Sequence, residues 1–308
     1  VFSASDSPLA NLSDLPKDQR AALEIRRGNV DDFHSVRQAM EGCQYLIHAA
    51  IPYPIYSIGW KRRWVREREA LRNVLQAALE AGVVKCVFVN VSGTIGLVKH
   101  GLVDESNAYH TPSRWTSLEM KHLVEQEILE FVHKGLPATI VNSCLCFGDY
   151  DTKPSSGLFL IYFVSWPFRL IRFLDDTAIN VVDVRDVAEG TVSALEKGRV
   201  GERYLLGNEN TTVREFAARV RRIAGCWEPK IAIPTFMVVA FSLATELVGL
   251  MTKRAQPFLP LLGIDILRYG SQHYSFDKAR KELDLPQSPV DDAIRRALRW
   301  FKENEYLK

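Results

Sequence analysis

CVFVNVSGTIG (residues 86–96) is the stretch of sequence that decides the fold. It is an apolar run with the length of a buried strand. An irregular segment and a helical pattern follow it, RWTSLEMKHLVEQEILEFV (114–132). A second buried-strand pattern closes the unit, ATIVNSCLCFG (138–148). Strand, helix and strand in this order predict a parallel sheet covered by helices.

The same alternation extends toward the N-terminus. CQYLIHAA (43–50) has the length of a buried strand, and ALEIRR (22–27) reads as a shorter one. Between residues 59 and 83 lies a long helical pattern with Gly82 as its predicted C-cap. Repeated strand–helix units predict an α/β fold with a doubly wound parallel sheet.

Composition excludes several classes of protein. The net charge of +2 argues against nucleic-acid binding, which needs a strongly basic face. Five scattered cysteines do not suggest a disulfide framework, so we expect a reducing, cytoplasmic compartment. Cys144 and Cys146 have no nearby histidine or cysteine pair, and we predict no metal site.

One apolar run, TFMVVAFSLATELVGLM (235–251), has almost the length of a membrane span. Pro234 at its start and Glu246 inside it favour a buried or interfacial helix over a transmembrane one. Contact with a membrane surface stays open as an alternative.

Four segments carry a family resemblance: VFVNVSGTIG, MKHLVEQEIL, VNSCLCFGDYDTKP and NVVDVRDVAEG. In their order and spacing they resemble the extended short-chain dehydrogenase/reductases. That family contains NAD-dependent epimerases, dehydratases and dihydroflavonol reductases. Within it, the chain is most similar to the hopanoid-associated sugar epimerase group.

The resemblance implies two domains. Residues 1–152 and 178–207 would form a Rossmann-like domain that binds NAD or NADP. Residues 153–177 and 208–308 would form a smaller α/β substrate domain. The implied ligand is a small molecule, and the oligomeric state, monomer or homodimer, stays open.

A glycine-rich strand–helix turn normally holds the pyrophosphate of a dinucleotide. No such motif stands near the N-terminus of the sequence. Alignment with the family places Val1 in the second strand, so we expect the first strand to be missing from the sheet. Weakened cofactor binding is the corresponding expectation.

In the family, a Tyr-x-x-x-Lys pair lies on the helix after the fifth strand. The resemblance places Lys121 at the lysine, which would bind the nicotinamide ribose and lower the pKa of the tyrosine. Four residues earlier stands Ser117 instead of tyrosine. Tyr109 is twelve residues before Lys121, so only a loop could bring it to the site.

The family also places a serine or threonine at the end of the preceding strand. When the family motif is aligned on Thr94 and Gly96, the position of that serine or threonine falls on Val91, one residue before Ser92. Ser92 would reach the substrate only if a bulge intervened. Otherwise it ends the strand, and its hydroxyl forms hydrogen bonds with neighbouring backbone groups.

The resemblance assigns the remaining cofactor contacts to positions near strand ends. Asn29 could both donate to and accept from an adenine edge. The small residues that follow His48 would allow close approach of the cofactor to the backbone. The positions assigned to cofactor binding are Asn29, Val30, His48, Ala49, Ala50, Lys121, Asn142 and Ser143.

Two functions follow as hypotheses. The first is an NAD(P)-dependent oxidoreductase or epimerase-like protein that acts on a hydroxyl or carbonyl of a sugar, a sterol-like molecule or a polyphenol. Ser117 and the missing glycine loop predict that this activity is impaired. The second is a non-catalytic binding or scaffold protein on the same fold, with a membrane surface as one location.

Overall fold

The computed structural model describes residues 1–4, 9, 12, 15–50, 56–96, 98, 101–109, 118–252 and 272–307. The helices of these residues are α1 (Lys17–Ala21), α2 (Phe33–Met40), α3 (Trp60–Ala81), α4 (Leu118–His133), α5 (Gly157–Val164), α6 (Val184–Lys197), α7 (Val213–Ile223), α8 (Thr235–Met251), α9 (Asp277–Glu282) and α10 (Val290–Glu303). The strands are β1 (Phe2–Ala4), β2 (Arg26–Gly28), β3 (Tyr45–His48), β4 (Lys85–Val91), β5 (Ala138–Ser143), β6 (Leu145–Phe147), β7 (Ile171–Phe173), β8 (Ala178–Asp183), β9 (Arg203–Leu206), β10 (Glu209–Thr212) and β11 (Ile231–Ile233).

The central sheet is parallel throughout, in the order β3-β4-β5-β9. Beside it, β1 and β2 form a separate parallel pair. A third sheet has the order β10-β8-β6, in which β8 is parallel to β6 and antiparallel to β10. The alternation of strands and helices therefore forms the predicted parallel α/β fold.

Residues 138–148 differ from the single strand that their sequence predicts. The backbone forms β5 in the central sheet and then β6 in the third sheet. Cys144 lies between them, and its backbone N–H donates to the carbonyl of Leu206. The apolar run is continuous because β5 is largely buried and β6 is buried or half-buried, so its composition could not mark the change of sheet.

Two buried clusters cover the faces of the central sheet. One joins α2, α3 and α4 to the sheet, with Leu75, Phe88 and Ile128 at its centre. The other packs Val87 and Val141 against α6 and the C-terminal segment. A third cluster, around Phe216 and Phe301, holds α5, α7 and α10 against the third sheet. The boundaries of the two predicted domains stay a prediction.

The helix ends follow their local sequence. Gly82 ends α3 in the left-handed conformation with φ +63, as predicted for its C-cap. Thr212 begins α7 with a capping box, since its hydroxyl accepts from the N–H of Glu215 and the Glu215 carboxylate accepts from the N–H of Thr212.

Candidate functional site

Lys121 lies on α4 where this helix packs against the end of β4. The side-chain amide of Asn90, near the end of β4, donates to the Lys121 carbonyl over 3.0 Å. The lysine is 4% exposed, so it is not a solvated surface residue. Burial lowers the pKa of Lys121 to about 7, and the nearby Glu67 opposes that shift. The side chain of Lys121 can therefore change between ammonium and amine close to neutral pH.

Glu125 follows Lys121 by one helical turn and is the acceptor of a buried polar network. Its Oε1 accepts hydrogen bonds from Asn142 Nδ2 over 2.6 Å, from Asn90 Nδ2 over 2.9 Å, and from the Thr94 hydroxyl. Burial raises the pKa of Glu125, while these donors act in the opposite direction. The network joins α4 to β4 and β5 at the base of the site.

Arg203 of β9 reaches the same carboxylate from the other side. Its Nη1 lies 3.6 Å from Glu125 Oε2, and its Nη2 donates to the carbonyl of Glu105 over 2.8 Å. Arg203 thus links Glu105 and Asn107 to the central sheet. Sequence reasoning missed Glu125, Asn90 and Arg203, although Glu125 stands within the quoted MKHLVEQEIL segment.

Ser92 is 6% exposed and begins a single 3-10 turn, Ser92–Ile95. It lies against the Cys144 thiol and the Tyr274 side chain. Val91, the last residue of β4, is half-buried. The carbonyl of Val91 accepts from the Thr94 hydroxyl over 2.8 Å. This position therefore offers no hydroxyl to a substrate.

Tyr109 packs directly against α4. Its ring stacks on that of His122, with centroids 3.9 Å apart and planes at 9°. Its hydroxyl donates to Glu119 Oε2 over 3.1 Å. Burial and the neighbouring Glu119 raise the pKa of Tyr109, so its phenol stays protonated near neutral pH. The chain does bring Tyr109 to α4, but the Tyr109 hydroxyl donates its hydrogen bond to a carboxylate.

The segment after β2 is held by local hydrogen bonds. The side-chain oxygen of Asn29 accepts from the N–H of Asp31 over 3.0 Å. The carbonyl of Val30 accepts from Asn73 on α3 over 3.0 Å. Asn29 and Val30 are exposed and stand at the carboxyl end of their strand. They are accessible at the position that the resemblance assigns to the adenine.

His48 ends β3, and the exposed Ala49 and Ala50 follow it. The ring of His48 lies 5.5 Å from that of Phe88, centroid to centroid. Burial lowers the pKa of His48 to about 4, so it is neutral at physiological pH. The two alanines leave the backbone at this strand end accessible.

The predicted site also includes Asn142, Ser143 and Ser117. Asn142 is 0% exposed, and its amide is used within the network of Glu125. Its side chain therefore supports the base of the site from within the protein. The hydroxyl of Ser143 donates to the carbonyl of Cys144 over 2.9 Å. Ser117 lies outside the described residues.

Two acidic residues of NVVDVRDVAEG tie the C-terminal segment to α6. Asp183 caps α6 by accepting from the N–H of Arg185, and it forms an ion pair with Arg296 of α10. Asp186 accepts from both the N–H and the hydroxyl of Ser288, over 2.8 and 2.7 Å. This motif therefore has a structural role at the junction with the C-terminal segment.

The described ranges contain no group of three or more histidine, cysteine, aspartate or glutamate residues that could hold a metal ion. None of their helices combines the length and hydropathy needed to traverse a bilayer.

Known proteins share this architecture. A model of the NAD dependent epimerase/dehydratase family matches residues 4–207. A putative dihydroflavonol 4-reductase of Synechocystis sp. is 31% identical over 315 residues, covering 97% of this chain and 85% of that protein. Sterol demethylase protein B of Methylococcus capsulatus is 28% identical, covering 94% and 88%. The crystal structure of gox2253 superposes with a TM-score of 0.80 at 28% identity, covering 100% of this chain and 91% of that one.

The family match spans β2 to β9 and includes the helix of Lys121 and the network of Glu125. The sequence resemblance is thereby confirmed at the level of the family, as is NAD as the cofactor of that family. The chain belongs to the NAD-dependent epimerase/dehydratase family.

Proposed function

We propose that this chain binds NAD(P) at the carboxyl ends of β2, β3 and β4, and that its oxidoreductase activity is impaired at the proton-transfer step. The observation that carries the proposal is Lys121. It is buried beside the end of β4, and its pKa is brought to about 7. A lysine in this position suits the family's ribose-binding role, while the serine four residues before it does not suit the tyrosine's role.

The residues present fit a dinucleotide along this edge. Asn29 is exposed and its side-chain N–H₂ can donate to an adenine, because only its oxygen is engaged with Asp31. Ala49 and Ala50 permit close approach to the backbone, and Lys121 can donate to ribose hydroxyls. When bound, the nicotinamide would supply hydride acceptance or donation. The protein's own part is to position it and to move a proton at the substrate oxygen.

This chain differs from the family in the groups that are available for that proton transfer. A serine hydroxyl has a far higher pKa than the ~10 of tyrosine, so a nearby ammonium cannot make it a useful base near neutral pH. Val91 provides no hydroxyl at the strand end, and Ser92 lies against Cys144. A positioned general acid–base contributes typically about 10²–10⁴-fold to the rate.

The substrate class remains the one implied by the family: a hydroxyl or carbonyl on a small molecule. Two of the relatives are named for a dihydroflavonol and for a sterol. We therefore include a dihydroflavonol, a sterol and a nucleotide sugar as test substrates. These cover the polyphenol, sterol-like and sugar alternatives.

The test compares Ser117→Tyr with Ser117→Phe. Both variants add an aromatic ring, but only tyrosine restores a titratable hydroxyl. We expect Ser117→Tyr to raise the rate of NAD(P)H formation or consumption by ~10²-fold or more, and Ser117→Phe to leave it unchanged. Turnover of the unaltered chain at an ordinary ~10 s⁻¹ would overturn the proposal of impairment.

A non-catalytic binding protein is the second candidate. The engagement of Tyr109 with Glu119, and of Ser92 with Cys144, favours it, because neither hydroxyl is directed to a substrate. NADH binding, measured by fluorescence, together with the activity of Ser117→Tyr separates the two candidates. Binding without any gain of activity in Ser117→Tyr would support the second candidate over the first.

A further inference from the structure

Helix α8 is attached to the rest of the protein by one narrow stripe. Its buried residues are Val238, Ser242, Glu246 and Gly249, which recur at intervals of four, four and three. This spacing marks a single line along a helix. The exposed residues of α8 lie on its other sides.

The attachment depends on polar contacts. Glu246 is 0% exposed, and its carboxylate accepts from the N–H of Ser57 over 3.0 and 3.1 Å and from the N–H of Ile58 over 3.2 Å. Gly249 lets Tyr56 approach, since a Cβ at this glycine would lie 2.5 Å from the Tyr56 hydroxyl oxygen. The polar side of α8 thus faces the protein.

The outward side is entirely apolar, the reverse of an ordinary surface helix. Its exposed fractions reach 72% at Phe236 and 84% at Met251. At 100° per residue, these positions fall within an arc of about 180°. The exposed residues of α8 are Phe236, Met237, Ala240, Phe241, Leu243, Ala244, Leu247, Val248, Leu250 and Met251.

The sequence next to the helix is mainly basic, although Glu228 stands two residues before Lys230. Lys230 precedes it and Lys253 and Arg254 follow it in the sequence. Between residues 229 and 264 the only acidic residue is Glu246, which is buried. Trp227, 58% exposed, also stands shortly before the helix. An apolar face with basic and tryptophan flanks is suited to the surface of an anionic bilayer.

A second copy of the chain or another protein fits the face less well. Protein interfaces carry about one hydrogen bond per 100–200 Å² and a polar rim. The outward face of α8 has no side-chain donor or acceptor over its whole length. A bilayer requires none, because its interior offers only apolar contacts.

We propose that α8 lies in the plane of an anionic membrane surface, with its apolar face inserted and its Glu246 side bound to the protein. This inference does not depend on the proposed oxidoreductase activity. It concerns where the protein works, whatever reaction it supports.

Vesicle flotation tests the proposal. We expect the chain to float with phosphatidylcholine–phosphatidylserine vesicles, and less with phosphatidylcholine alone. The double variant Phe236→Asp/Leu247→Asp should lower the bound fraction by about 10-fold or more. A matched control is Val65→Asp/Leu102→Asp, since these residues are 62% and 64% exposed on other elements. The control should bind like the unaltered chain.

A second readout does not rely on loss of binding. Leu243→Trp, at a position that is 43% exposed, should give indole fluorescence that is quenched by brominated lipids, and circular dichroism should confirm that each variant is folded. The proposal is overturned if the unaltered chain does not float, or if the α8 variant floats equally well. It is also overturned if the α8 variant converts a dimer to a monomer while vesicles bind neither form, which would assign the face to a second copy.

Discussion

The Oε1 atom of Glu125 lies 2.6 Å from the side-chain nitrogen of Asn142. This contact joins the helix of Lys121 to the middle of the central sheet, beneath the candidate site. Both residues are almost completely buried, so the contact is shielded from water. The contact therefore holds α4, and with it the backbone of Lys121, against the central sheet.

Removing the acceptor should destabilise the fold. Glu125→Ala removes the buried carboxylate that the amides of Asn90 and Asn142 and the guanidinium of Arg203 share, and we expect a loss of about 3–5 kcal/mol in the free energy of unfolding. Glu125→Gln retains a side-chain oxygen that accepts from the two amides, so its free energy of unfolding should fall by less. Urea denaturation measures both. Equal effects would mean that the Oε1 contacts are unimportant.

Lys121 should make stability depend on pH. Its folded pKa of about 7 lies below the ordinary 10.5, so the unfolded chain binds more protons between these values. Stability should therefore rise as the pH increases from 7 toward 10.5. Below pH 7 the buried charge is a cost, and Lys121→Met should raise the free energy of unfolding there by roughly 2–4 kcal/mol. This advantage should shrink at pH 10.

The exposed Lys17 offers a control for that measurement. Lys17→Met should change stability little at any pH. A stability curve for Lys121→Met that runs parallel to that of the unaltered chain would contradict the assigned pKa.

Tyr109→Phe tests whether the phenol carries a proton. The substitution removes the hydrogen bond to Glu119 and keeps the ring stacked on His122. We expect residual activity to change less than 3-fold, because a positioned acid–base group would account for about 10²–10⁴-fold. Steady-state rates of Tyr109→Phe are compared with those of the unaltered chain, so that no introduced tyrosine can take over the proton transfer. A drop of about 10²-fold or more would identify Tyr109 as the proton carrier.

Glu246→Ala should loosen α8. The N–H groups of Ser57 and Ile58 would lose their acceptor, so their amide hydrogens should exchange with solvent more than ~10-fold faster. Hydrogen exchange with peptide-level mass spectrometry measures this. Glu196→Ala, at an exposed position on α6, is the matched control and should leave the 56–58 peptide unchanged.

Much of the fold could be predicted from local sequence. The long pattern at 59–83 became α3, and the apolar run at 235–251 became α8 with the same bounds. The change of sheet after Ser143 could not be predicted, because buried strands in two sheets have the same apolar composition.

The candidate site was less accessible to sequence reasoning. Lys121 was found through its helix, but the use of Asn142 depends on which face of β5 meets α4. Periodicity in a buried strand does not reveal that face, since both sides are apolar. The position of Tyr109 depends on the path of an irregular segment, which local propensity does not specify.

A single residue, Cys144, separates β5 from β6. A connection this short leaves little slack for one sheet to swing relative to the other, and Asp186 bound to Ser288 adds a second tether nearby. Large movement of the third sheet relative to the central sheet is therefore restricted. We expect altered ligand preference to require changes of single side chains at the strand ends rather than changes of a hinge.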